Sequence, residues 1–104
     1  MIKVSVLYPH EAGAGFDMEY YLDKHIPMVR ELLGDACKGI AFGQGLAGGT
    51  PDAPPAFTAT CDLLFESADA FQWAFEPHAQ TIMADIANYT SIKPLIQISE
   101  VKLS

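Results

Sequence analysis

The chain is poor in cysteine, poor in basic charge and without a long apolar run. Cys37 and Cys61 are its two cysteines, 24 residues apart. There is no Cys-x-x-Cys pair and no zinc-ligand spacing, so both read as reduced, buried thiols rather than as a disulfide or metal framework. Six Lys and Arg stand against thirteen Asp and Glu, for a net charge of -7. A polyanion repels another polyanion, so neither nucleic acid nor an anionic membrane surface is expected as a partner. No stretch approaches the roughly 18 apolar residues a spanning helix needs. The opening Met1-Ile2-Lys3-Val4-Ser5-Val6 lacks the basic segment and long apolar core of a secretory signal, which points to a cytoplasmic location. There is also no phosphate-loop ending after Gly45-Leu-Ala-Gly-Gly and no Gly-x-Ser-x-Gly elbow.

What is present is apolar bulk. Half of the 104 residues are apolar and 18% are charged, too oily for a disordered chain. That length suits one domain spanning 1–104. Ile2 to Tyr8 alternates as a strand ended by Pro9. Asp17 is a helix cap, and Tyr21, Leu22, His25, Ile26, Val29, Leu32 and Leu33 follow at helical spacing, with Gly34 as the stop. Pro27 predicts a kink or break near His25. Lys38 to Leu46 reads as a second strand and Phe57 to Phe65 as a third, across a Gly- and Pro-rich loop. Ser67 caps a second helix carrying Phe71, Phe75, His78, Ile82 and Ile86, interrupted at Pro77. Pro94 to Lys102 is a fourth strand. The order is βαββαβ, an α+β, ferredoxin-like arrangement.

Two helices cover one face of such a sheet. The strands carry apolar residues at both parities: Leu7 against Val4 and Val6, Leu64 against Leu63 and Phe65, Ile96 and Ile98 against Leu95 and Val101. A second oily face of several hundred Å² exceeds what a soluble monomer usually exposes. At about 25 cal/mol per Å², covering it is worth several kcal/mol per subunit. A homodimer pairing the sheets face to face is therefore expected. A monomer kept wet by Lys3, Ser5, Thr58, Thr60, Asp62 and Glu100 is the alternative.

Candidate chemistry centres on histidine. Tyr21 and His25 are four apart and share a helix face. A histidine there would move protons near neutral pH, and the tyrosine would orient it or hold a substrate oxygen. Alternatively, the ring nitrogen satisfies a carbonyl freed by Pro27. His78 follows Pro77 and would either face His25 across the helix pair or lie on the surface. The two histidines have no metal-ligand spacing, and no metal is assigned.

The stretch Phe16-Asp-Met-Glu-Tyr-Tyr-Leu-Asp-Lys-His-Ile-Pro-Met-Val29 resembles the first-helix signature of the EthD family, named for ethyl tert-butyl ether degradation. Leu46-Ala-Gly-Gly, Phe75-Glu-Pro-His78, Met83-Ala-Asp-Ile-Ala-Asn-Tyr89 and Pro94-Leu-Ile-Gln-Ile-Ser-Glu100 extend the resemblance over essentially the whole chain. It implies a dimeric α+β barrel with a pocket between the sheet and helices of each subunit. Relatives in that superfamily include heme-degrading and cofactor-free oxygenases, isomerases and polyketide-tailoring enzymes.

The function expected is that of a small enzyme, without a cofactor, acting on an apolar, oxygen-bearing compound. Phe16, Tyr21, Phe71, Phe75 and Tyr89 would line its pocket, or would simply be core. His25 would act as general acid or base, Tyr21 would orient the substrate, and His78 or Asn88 would stabilise oxyanion charge. The alternatives are a non-catalytic binder of small hydrophobic molecules, or an accessory protein to an oxygenase, and a heme-binding monooxygenase using His78.

Overall fold

In the computed structural model, which covers residues 1–104, four strands form one antiparallel sheet. They are β1 (Ile2–Pro9), β2 (Gly39–Gln44), β3 (Phe57–Phe65) and β4 (Leu95–Glu100), in spatial order β2-β3-β1-β4. Two helical rods lie on one side. The first is α1 (Met18–Tyr20), a π-helical turn Tyr21–His25, α2 (Ile26–Leu33) and a 3-10 turn Gly34–Ala36. The second is α3 (Ala68–Phe75), a 3-10 turn Glu76–His78, α4 (Ala79–Asp85) and a 3-10 turn Ile86–Asn88. This is the ferredoxin-like βαββαβ order read from the sequence.

The alternation in β1 sets the core. Val4 and Tyr8 point to the helices and are paired across the ladder with Leu63 and Ala59 of β3, all four buried. The apolar stripes of the rods close over them: Tyr21, Ile26, Val29 and Leu33 from the first, Phe71, Ile82 and Ile86 from the second. Each such side chain contributes roughly 1.5–3 kcal/mol by burial. Asp17 and Ser67 cap the rods, accepting from the N–H groups of Tyr20 and Ala70. Gly34 ends α2 at φ 60°, ψ -147°, a backbone geometry that side chains resist.

Of three expectations, one is met in part and two are corrected. The irregularity expected near His25 is there, but the first rod does not break at Pro27. The turn before it widens instead, with the Ile26 N–H reaching the Tyr21 carbonyl, and the helix continues. Pro27 has no N–H for the carbonyl of Asp23 and would strike it in an unwidened helix. The outer strands are shorter than read, since β2 stops at Gln44 and β4 starts after Pro94, which has no N–H for the ladder. The sheet is also not oily on both sides. Ile96 and Ile98 pair with Val6 and Val4, so they face the helix side. The other side holds Leu7, Leu64 and Leu95 among Lys3, Ser5, Thr60, Asp62, Gln97 and Ser99, and there the Ser5 hydroxyl donates to Asp62 at 2.6 Å. No helix is long and apolar enough to cross a membrane.

Candidate functional site

The π turn decides where the first rod's chemistry goes. It lets consecutive residues serve different neighbours: Tyr21 turns into the core, while Tyr20 reaches sideways to the end of the second rod. His25, four residues after Tyr21, lies beneath the rods and is 5% exposed. Its ring is stacked on that of Tyr21 (centroids 5.6 Å apart, planes at 16°) and tilted against Tyr89 at 4.7 Å.

The Nδ1 of His25 does not bond a carbonyl freed by Pro27. It lies 2.8 Å from Oδ2 of Asp85, at the last turn of α4. The other carboxylate oxygen, Oδ1, accepts from the Tyr20 hydroxyl at 2.7 Å and from the Asn88 amide at 2.9 Å. Burial alone would raise the Asp85 pKa. The hydrogen bonds from Asn88, Tyr20 and His25 outweigh it and hold the carboxyl below its ordinary range. Burial pushes the His25 pKa down, and Asp85 offsets only part of that. The pair therefore stands as a neutral imidazole beside a carboxylate. An ionised carboxylate only accepts, so the proton sits on Nδ1. Nε2 keeps its lone pair, since the one hydrogen bond His25 makes is that of Nδ1 with Asp85. Because no fully buried side-chain nitrogen lacks a partner, Nε2 opens onto accessible space.

His25 is part of the wall of a cavity of about 200 Å³ between sheet and helices. Fifteen of its seventeen lining residues are hydrophobic, and none is Lys, Arg, Asp or Glu. Around the same end sits a cage of phenols. The Tyr8 and Tyr89 hydroxyls share a buried hydrogen bond of 2.6 Å, and burial raises the pKa of both. Burial also raises that of Tyr21, and pushes the Cys61 thiol up to about 11. These groups stay protonated and uncharged at neutral pH. Cys37 and Cys61 are both free thiols.

Of the residues singled out in the sequence, Tyr21, His25, Phe71 and Phe75 line the cavity. Phe16 packs behind it, edge-on to Tyr8, Tyr21 and Tyr89. Tyr89 is buried against His25 but outside the lining, and Asn88 is exposed and holds Asp85. His78 is half-buried in the turn before α4, contributes nothing to the cavity wall and shares no hydrogen bond with His25. A heme held by His78 in this cavity does not fit that placement. Asp85 and Tyr20 lie within the stretches that resemble the EthD family, but pattern alone gives neither them nor Tyr8 a role. For Asp85 the local signal is its spacing of three from Asn88, which puts both on one face.

A family model described as the EthD domain matches residues 15–93. A protein of 11.0 kDa from the thcB-thcC intergenic region of Rhodococcus erythropolis is 37% identical over 93 residues, covering 88% of this chain and 85% of the relative. The crystal structure of an EthD-like protein from Ralstonia eutropha JMP134 superposes with a TM-score of 0.93 at 50% identity, over 98% of this chain and 92% of that one. A dimeric ferredoxin-like protein of unknown function from Thermobifida fusca shares the fold at a TM-score of 0.65 and 16% identity, over 96% and 90% of the two chains.

Proposed function

The chain belongs to the EthD domain family, and on that premise we propose that it is an enzyme that removes a proton from a small, apolar, oxygen-bearing molecule. One observation carries this reading: a neutral imidazole set in a carbon-lined cavity, with Nδ1–H fixed on a carboxylate and the Nε2 lone pair left over. His25 is the general base. Asp85 holds the tautomer and stabilises the imidazolium that forms, and Tyr20 and Asn88 keep Asp85 in place. Tyr21 fixes the ring by stacking. His78 takes no part. Abstraction from a phenol or from carbon next to a carbonyl is the first step of isomerisation, of cyclisation and of cofactor-independent oxygenation alike. The unit at work is the domain 1–104 as a homodimer in the cytoplasm. The dimer is supported by the exposed Leu95, Ile96 and Ile98 of β4, and the location by two unpaired thiols.

Phenylacetone in deuterated buffer tests the base directly. The protein should speed exchange of its activated CH2 protons, followed by NMR, and His25→Gln should return the rate to that of buffer with the circular dichroism unchanged. A binder without a proton mover would take up phenylacetone and leave its exchange at the buffer rate. Exchange that His25→Gln does not slow would also overturn the reading.

A further inference from the structure

We propose that the natural ligand is a neutral, one-headed amphiphile whose head donates a hydrogen bond, an O–H or an acidic C–H, to Nε2 of His25, and whose hydrocarbon body, about one substituted ring in size, points toward Phe71 and Phe75. This deepens the reading above and rests on it for the site.

The head must donate. The Nδ1–H of His25 is committed to Asp85, so the imidazole offers the cavity an acceptor and no donor. An anionic group would leave water for a wall that holds no cation, and would meet the lone pair of Nε2. A cationic group would find no carboxylate there, because both oxygens of Asp85 are taken on the far side of the imidazole. Either burial is costly without a partner.

The orientation follows from the sheet. Along β1 the wall runs from Val4 to Tyr8, roughly 13 Å at 3.3 Å per residue. Tyr8 stands at the polar end, beside Tyr21, whose ring stacks on His25, and beside the Tyr89 hydroxyl. The opposite end is carbon: Phe71 packs against Phe65, which pairs with Ile2 beyond Val4, and Phe75 stacks on Phe71 at 5.2 Å. Size follows from volume. An engineered cavity of roughly 150 Å³ takes up benzene, so about 200 Å³ suits a ring with a short substituent.

The test reads binding, by calorimetry and amide NMR at pH 7.5, so it stands or falls apart from turnover. The probes are 4-propylphenol, its methyl ether 4-propylanisole, and 3-(4-hydroxyphenyl)propanoate. The phenol should bind at least tenfold more tightly than the ether and at least a hundredfold more tightly than the propanoate. His25→Phe should abolish the preference for phenol over ether. Phe75→Ala, at a half-buried position, should raise the affinity for 4-pentylphenol relative to 4-propylphenol, which His25→Phe should not do. Equal binding of phenol and ether, equal binding of the propanoate, or no binding of any probe at millimolar concentration overturns the proposal. So does relief of the longer tail at the His25 end. A protein that binds with these preferences but exchanges no proton from phenylacetone keeps this ligand class and loses the catalytic reading.

Discussion

A buried imidazole is useful as a base only if its proton is placed and its pKa lies below the working pH. Both conditions trace to neighbours of His25 acting in opposite directions: burial drives its pKa down and Asp85 pulls it part of the way back. The basic form is the neutral one, so phenylacetone exchange should rise with pH through a single limb whose midpoint is below about 6.5. In Asp85→Asn the upward pull is gone. The midpoint should move to still lower pH, and the plateau rate should fall about 10²- to 10⁴-fold as the tautomer is lost. A midpoint that rises would assign the limb to another group. The same shift affects stability. Between the folded pKa of His25 and about 6.5 the unfolded chain binds more protons, so stability falls as pH drops through that window. The Tyr8–Tyr89 pair makes a separate prediction. Tyr89→Phe leaves the buried Tyr8 hydroxyl without its partner at 2.6 Å and should cost about 1–3 kcal/mol in urea unfolding. Tyr8→Phe combined with Tyr89→Phe should cost less than the sum of the two singles, since no orphaned hydroxyl remains.

The π turn Tyr21–His25 is the element on which the site depends. With one extra residue in the turn, Tyr20, Tyr21 and His25 reach Asp85, the core and the cavity wall together. Pro27→Ala restores an N–H for the Asp23 carbonyl and removes the ring that displaced it. The segment should then relax toward α-helix and turn His25 away from Asp85. Phenylacetone exchange should fall at least tenfold while the melting temperature holds within a few degrees; full activity in this variant would show that the turn does not depend on the proline. The elements themselves were legible in the sequence because side-chain periods of two and of 3.6 are local, and so was the pairing of Tyr21 with His25. The partners of His25 were not. Asp85 lies 60 residues away and Tyr20 is 65 from Asp85, and no period links them. The parity of β4 was unreadable for a similar reason. Leu95 and Ile96 are both apolar, and only the pairing of Ile96 with Val6 shows which one faces the helices.

At the scale of the whole molecule, association has to overcome both a mixed surface and a net charge of -7 on each copy. The helix-free side of the sheet offers Leu7 directly opposite Leu95, with Leu64 on β3, the strand on the other side of β1, inside a border of Ser, Thr, Gln, Asp and Lys. Leu95 is 58% exposed, and Ile96 and Ile98 beside it on the helix side are 50% and 46% exposed. A second copy that covers this edge and the leucine pair would remove the largest apolar side chains of β4 from water. Sedimentation at micromolar concentration should therefore give twice the 11.3 kDa chain mass. Leu95→Lys should raise the dimer dissociation constant at least a hundredfold while leaving the monomer folded, since the residue packs against nothing in its own core. Salt separates this from an ionic interface. Two chains of -7 repel, and screening shortens that repulsion to about 10 Å at 0.1 M. The dimer should therefore tighten as salt is added; weakening with salt would mean that ion pairs, not the β4 leucine and isoleucines, hold the copies together.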